Sequence, residues 1–144
     1  MRTRYVLVAI LLAAGCGRSD VAPVSGTVTL NGKPLAHATV VFQPEDEGPN
    51  PGPGSTGTTD ENGRYQLRLM TTNATGARVG KHRVSITAYA GDAEGDSSAP
   101  DTTNKVIRKA LVPQEYNAKT QLTFDVPPGG STSADFHLTS PVSR

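Results

Sequence analysis

Three histidines and two acidic clusters are the side chains of this sequence that could hold a metal ion. His37, His82 and His137 lie far apart, and no two of them have the spacing of metal ligands. Carboxylates also cluster in the turn at 60–62 and in the stretch 92–101. Calcium prefers oxygen-rich loops of this kind, but neither cluster has the ligand order of an EF-hand. We expect solvated surface histidines and neither a bound metal nor a cofactor, and calcium binding by the acidic loops stays an open alternative.

Motifs of known catalytic nucleophiles and nucleotide sites are missing from the sequence. It contains no Gly-x-Ser-x-Gly elbow, no P-loop and no Rossmann glycine pattern. The formal charge of +1 argues against nucleic-acid binding, because a protein that binds nucleic acid needs a basic face to neutralise the phosphates. The sequence therefore indicates a non-enzymatic protein. An enzyme with an unrecognised site on its loops is the alternative.

Cys16 is the only cysteine, and it directly follows a short apolar segment with a positively charged start. Two arginines precede the apolar run 5–15, which is too short to span a bilayer as a helix. The run ends in Ala-Ala-Gly just before the cysteine. This arrangement resembles the lipobox of bacterial lipoproteins, although Ala13 stands where the family usually carries Leu or Val. The resemblance implies that residues 1–15 are a removed signal peptide and that Cys16 is lipidated.

A lipid on Cys16 would anchor the mature chain to a membrane of the cell envelope. Gly17 follows the cysteine, and it is not the Asp that favours inner-membrane retention in enteric bacteria. The resemblance therefore favours the outer membrane or the periplasmic face. An ordinary secretory signal with an incidental cysteine is the alternative, and the oligomeric state is left open.

The mature chain alternates apolar and polar residues with a period of two, which is typical of β-strands. Six runs place their apolar residues on one face: 24–30, 38–42, 64–69, 81–89, 122–126 and 134–138. Glycine- and proline-rich or polar stretches at 43–58 and 90–110 predict two long loops. Val106, Ile107 and Leu111 are expected to fold back onto the sheet. About seven short strands with turns between them predict an all-β protein, a single β-sandwich.

These observations predict four parts of the chain. The lipobox resemblance implies that residues 1–15 are the signal peptide and that 16–22 are a polar, lipidated tether. Residues 23–140 form the sandwich domain, and 141–144 are a short tail.

Several segments of the domain resemble carboxypeptidase regulatory-like domains. They are VSGTV at 24–28, NGKPL at 31–35, TDENGRY at 59–65 and GKHRV at 80–84. LVPQEYN at 111–117 and LTFDV at 122–126 are similar to small envelope lipoproteins of planctomycete-type bacteria. The resemblance implies a transthyretin-like, immunoglobulin-like β-sandwich, and the molecular role of such proteins is mostly unassigned.

The matched residues are expected to serve the fold. Gly32 and Gly63 allow positive φ in turns, and Pro34 stiffens the start of a strand. Tyr65 should turn its ring toward the core and bond a loop backbone group with its hydroxyl.

The expected function is binding or scaffolding of an envelope protein or glycan through the loops or an edge strand. A carbohydrate-binding module is a more specific alternative, for which Tyr89 and Tyr116 are the candidate contact aromatics. Aromatic residues make up only 5% of the chain, and there is no Trp, which weakens this alternative.

Overall fold

A computed structural model describes residues 20–45, 52–90 and 109–141. Regular structure in this part of the chain is almost entirely β, with one short 3-10 turn and no α-helix. The strands are β1 (Val21–Ala22), β2 (Ser25–Leu30), β3 (Lys33–Pro34), β4 (Thr39–Pro44), β5 (Ser55–Thr58), β6 (Arg64–Gln66), β7 (Arg68–Leu69), β8 (Ala77–Arg78), β9 (Gly80–Thr87), β10 (Thr123–Val126) and β11 (Phe136–Leu138), and the 3-10 turn is η1 (Gln114–Tyr116). Across these ranges, no helix is long and apolar enough to cross a membrane.

The strands form two main sheets and one small pair. The larger sheet has five antiparallel strands in the order β10-β9-β4-β5-β7. In the smaller sheet β2 lies between β11 and β3 and also pairs with β6. β11 runs parallel to β2, so the last strand lies beside the first long one. β1 and β8 form the separate antiparallel pair.

The core lies between the two main sheets, because each of their longer strands buries every second side chain. Val40 and Phe42 on β4, and Val84 and Ile86 on β9, are fully buried. The ring of Phe42 lies 6.1 Å from that of Phe136 on β11, which belongs to the other sheet. The apolar faces of the two sheets therefore pack against each other.

The chain crosses from the smaller sheet to the larger one at Leu67. β6, just before it, pairs with β2, and β7, just after it, pairs with β5. Leu67 is fully buried, its N–H donates to Val24 O (2.9 Å), and its carbonyl accepts from Gly76 N (2.7 Å). Both polar backbone groups at the crossing are thus satisfied without water.

Tyr65 lies two residues before the crossing and faces the core. Its hydroxyl donates a 2.6 Å hydrogen bond to the carbonyl of Ala134, in the segment that leads into β11. Burial raises the pKa of the Tyr65 hydroxyl well above its ordinary value, and the negative charge of Asp135 raises it further. The predicted bond to a loop backbone group is present, and it ties β6 to the C-terminal part of the domain.

The six predicted strand runs overlap with β2, β4, the β6–β7 segment, β9, β10 and β11. Their predicted inward faces are confirmed as well, except that Leu30, Leu122 and Phe124 are only partly buried. In these six runs, the alternation of apolar residues was a sufficient signal for a strand and for its buried face.

The predicted loop 43–58 is wrong at both ends. β4 continues to Pro44, and residues 55–58 form β5, inside the larger sheet. β5 has the sequence Ser-Thr-Gly-Thr, which shows no apolar alternation. A Cβ on Gly57 would lie 2.6 Å from Gln66 O, so only glycine fits where β5 approaches the chain near the crossing.

Two smaller expectations are also wrong. Val21 and Ala22, assigned to the tether, form β1, and Ala22 is in the core. Leu111 was expected to fold onto the sheet, but it is 37% exposed, and its neighbour Val112 is buried instead. Val106 and Ile107 lie outside the described residues, as do residues 1–15, predicted to be a signal peptide, and Cys16.

Replacing Tyr65 by Phe should destabilise the fold in a pH-dependent way. At pH 7 the Ala134 carbonyl loses its buried donor, so we expect the free energy of unfolding to fall by about 1–2 kcal/mol. Above pH 10 the unfolded native chain ionises Tyr65 while the folded chain keeps its proton, so native stability falls by up to about 1.4 kcal/mol per pH unit. The variant lacks this loss, and the difference should shrink as the pH rises. Urea unfolding of both proteins between pH 7 and 11 measures it, and a difference that does not change with pH would contradict the assignment.

Candidate functional site

The three histidines have different environments. His37 is exposed with a φ of 54°, and His137 is exposed with its Nδ1 2.9 Å from the hydroxyl of Thr29. The expectation of a surface histidine is wrong for His82, which is only 1% exposed. Its Nδ1 lies 2.9 Å from Gly80 O and its ring 5.7 Å from that of Phe42. The histidines therefore do not converge on one site.

Sequence alternation contained the signal for the burial of His82. It shares the parity of Val84 and Ile86 on β9 and of Ala88 just after it, all of which face the core. The expectation followed the usual exposure of histidine and not the strand period.

In the acidic turn at 60–62, the carboxylate of Asp60 forms hydrogen bonds to the backbone. Asp60 Oδ1 accepts hydrogen bonds of 2.9 Å from the N–H groups of Asn62 and Arg64. In the ranges that the structure covers, no three His, Cys, Asp or Glu side chains cluster in a way that could hold a metal ion. The second acidic stretch, 92–101, lies outside those ranges, so calcium binding there stays an untested alternative.

The predicted turn residues occupy tight turns. Asn31 and Gly32 have φ values of 51° and 79° between β2 and β3, and Pro34 lies on β3 opposite Thr29. Gly63 has a φ of 73°, and a Cβ on it would lie 2.5 Å from Val28 O. These positions shape the smaller sheet and do not form a site.

The two candidate contact tyrosines are separated and differ in exposure. Tyr89 is 52% exposed and forms an isolated antiparallel bridge with Ala110. Tyr116 is partly buried against the core, and its hydroxyl lies 3.2 Å from Thr139 Oγ1 and accepts from Thr139 N–H (3.3 Å). Tyr116 therefore connects η1 to the end of β11 and is not the free aromatic that the sequence predicted.

An open groove of about 690 Å³ lies between β5 and the segment 66–73. We call it the outer groove, because its polar side chains point away from the core. Thr56 on β5 lies opposite Arg68 on β7 in the sheet register. The groove is lined by Thr56, Gly57, Thr58, Gln66, Arg68, Leu69, Met70 and Asn73. Its volume is that of a ligand site, but its lining is more polar than that of a typical small-molecule pocket.

Local hydrogen bonds fix the wall of the outer groove. The chain turns back after β7, where Leu69 N–H donates to Ala74 O (2.8 Å) and Asn73 N–H donates to Leu69 O (2.9 Å). Asn73 has a φ of 59°, which Asn tolerates better than most residues. The guanidinium of Arg68 donates one long bond of 3.5 Å to Asn73 O. The sequence predicts only a strand and a turn in this region.

The cations on the exposed face of the larger sheet differ in their partners. Arg83 and Lys81 both contact Glu45, at 2.8 and 3.8 Å. Among the described residues, no carboxylate forms a salt bridge with Arg68. The outer groove thus carries a positive charge that its described neighbours do not neutralise.

Two smaller depressions lie elsewhere. One of about 390 Å³ is lined by Glu115, Tyr116, Lys119, Gln121 and Leu122. The other, of about 220 Å³, lies on the exposed face of the smaller sheet and includes Thr27 and Arg64. The outer groove exceeds both of these depressions in volume, so it is the best candidate site.

Comparisons with known proteins add little to this geometry. No family model and no curated protein matches the chain. Among solved structures, a 9R-lipoxygenase from Cyanothece PCC8801 aligns with a TM-score of 0.39 and 16% identity, over 98% of this chain and 18% of that protein. A likeness of this size carries no statement about fold family or activity.

Replacing His82 by Ala should cost about 2–4 kcal/mol of stability, because it removes a buried ring that packs on Phe42. His137→Ala, on the exposed face of β11, is the matched control and should cost about 1 kcal/mol or less. Thermal or urea unfolding of both variants measures the difference. Equal, small losses would contradict the burial of His82.

Proposed function

We propose that this chain is a non-enzymatic, lipid-anchored binding module of the bacterial cell envelope, folded as a transthyretin-like β-sandwich. The observation that carries the proposal is the outer groove. It is open, polar and rigidly built, and it lies on the exposed face of the larger sheet beside a charge without a described counterion.

The packing of the two sheets supports the sandwich. Their buried faces are in contact through Phe42, Phe124 and Phe136, with ring centroids 5.6–6.3 Å apart. Within the smaller sheet, Tyr65 on β6 donates a hydrogen bond to the segment that leads into β11, in the manner of a tyrosine corner. The resemblance of the segments at 24–28, 31–35 and 59–65 to carboxypeptidase regulatory-like domains points to the same fold.

A binding role fits the groups that could do chemistry better than catalysis does. The Asp60 carboxylate accepts two backbone N–H groups, and His82 is enclosed in the core. The hydroxyl of Tyr65 is buried and bonded, and its raised pKa keeps it neutral. Because each of these groups stabilises the fold, we favour a protein that binds a partner on its surface over an enzyme.

The anchor at Cys16 rests on the lipobox resemblance and on the length of the tether. β1 begins at Val21, so four residues separate the anchor from the first strand. The five Cα-to-Cα steps from Cys16 to Val21 reach at most about 18 Å when fully extended. A lipidated Cys16 would therefore hold the domain close to the membrane surface, where it would meet components of the envelope.

The anchor is tested by the intact mass and the membrane partition of the native protein beside a Cys16→Ser variant. We expect the native protein to carry acyl mass and to require detergent, because two or three acyl chains give firm anchoring. The variant should lack the added mass and leave the membrane fraction. A native protein that is unacylated and released in the same way as the variant would contradict the proposal.

A further inference from the structure

We propose that the outer groove binds an acidic polysaccharide, a hydroxyl-rich chain that carries carboxylate groups, and that Arg68 takes the carboxylate. This inference rests on the proposed function as a binding module and names its partner. Three observations support this inference: the hydrogen-bonding side chains of the groove, its positive charge, and the turn that covers the edge of β7.

The side chains of the groove match sugar hydroxyls in hydrogen-bonding character. Thr56, Thr58, Gln66 and Asn73 each carry a side chain that can both donate and accept. A sugar hydroxyl has the same double character, so such a lining satisfies several hydroxyl groups at once. Met70, 52% exposed at the end of the groove, offers apolar surface to the C–H face of a sugar ring.

Arg68 supplies the charge that selects an acidic chain. Its planar guanidinium fits a carboxylate with two parallel hydrogen bonds. Arg83 on the same sheet face is already bound to Glu45 at 2.8 Å, whereas Arg68 makes only a 3.5 Å bond to a backbone carbonyl among the described residues. A ligand carboxylate would therefore gain a strong contact at Arg68 and would displace little.

An acidic peptide fits this place less well. Peptides commonly bind by adding a strand to an open sheet edge. β7 is the edge strand here, but the turn that follows it folds back, and Leu69 N–H and Gly76 N–H are both used within that turn. Of the large apolar side chains in the groove, only Met70 is exposed, so the groove offers little for the apolar anchors of a peptide.

The test measures binding of three polymers to the full chain purified in detergent, by isothermal titration calorimetry at low salt. Polygalacturonate carries both hydroxyls and carboxylates, dextran carries hydroxyls alone, and poly-glutamate carries carboxylates alone. We expect polygalacturonate to bind at least about tenfold more tightly than either of the others, because only it makes both kinds of contact. Added salt should weaken its binding.

Variants locate the site. Arg68→Gln should weaken polygalacturonate binding by about tenfold or more, the worth of one charge-assisted hydrogen bond. Arg64→Gln removes the same charge from the exposed face of the smaller sheet, and it should change the affinity by about twofold at most. Unchanged unfolding curves for both variants would show that folding is intact.

Three results would overturn the inference. They are equal losses in the two arginine variants, equal binding of poly-glutamate, or no binding of polygalacturonate. Tight binding of poly-glutamate at Arg68 would leave a binding module with a peptide partner, so the proposed function would survive. Loss of the acyl anchor would be seen in the Cys16→Ser comparison, independently of these titrations.

Discussion

The passage of one continuous segment between the two sheets is the constraint on which the rest of this domain depends. β6 belongs to one sheet and β7 to the other, with only Leu67 between them. A crossing this short forces the sheets together, and it buries Leu67 completely. Both of its backbone polar groups must then find partners inside the protein, and they do, at Val24 and Gly76.

The crossing also determines what faces outward. Because side chains alternate along a strand, an inward Tyr65, Leu67 and Leu69 require an outward Gln66 and Arg68. β5 approaches this segment so closely that position 57 must be glycine. The same approach brings Thr56 and Thr58 close to Arg68. The outer groove is therefore a consequence of the packing beneath it, and its walls are held by the core and by a hydrogen-bonded turn.

Much of this fold could be predicted from the alternation of apolar residues, but the candidate site could not. Six strand runs and the core positions of Val40, Val84 and Leu138 follow from the period of two. β5 has no such pattern, since its inward positions are Ser55 and Gly57. The backbone of Gln66 leaves no room for a Cβ at Gly57. The groove joins residues 56–58 to residues 66–73, and only the strand register shows that they meet. Tyr116 was misjudged for a similar reason, because its partner Thr139 is 23 residues away.

The central claim is that this chain binds its partner through the outer groove. It is tested most directly by NMR of the isotope-labelled full chain in detergent micelles during titration with short oligogalacturonates. The account predicts chemical-shift changes concentrated at Thr56, Thr58, Gln66, Arg68 and Asn73, with the backbone of Thr27 and Arg64 on the smaller sheet unchanged. Shifts spread over both sheets, or concentrated around Tyr116, would contradict it.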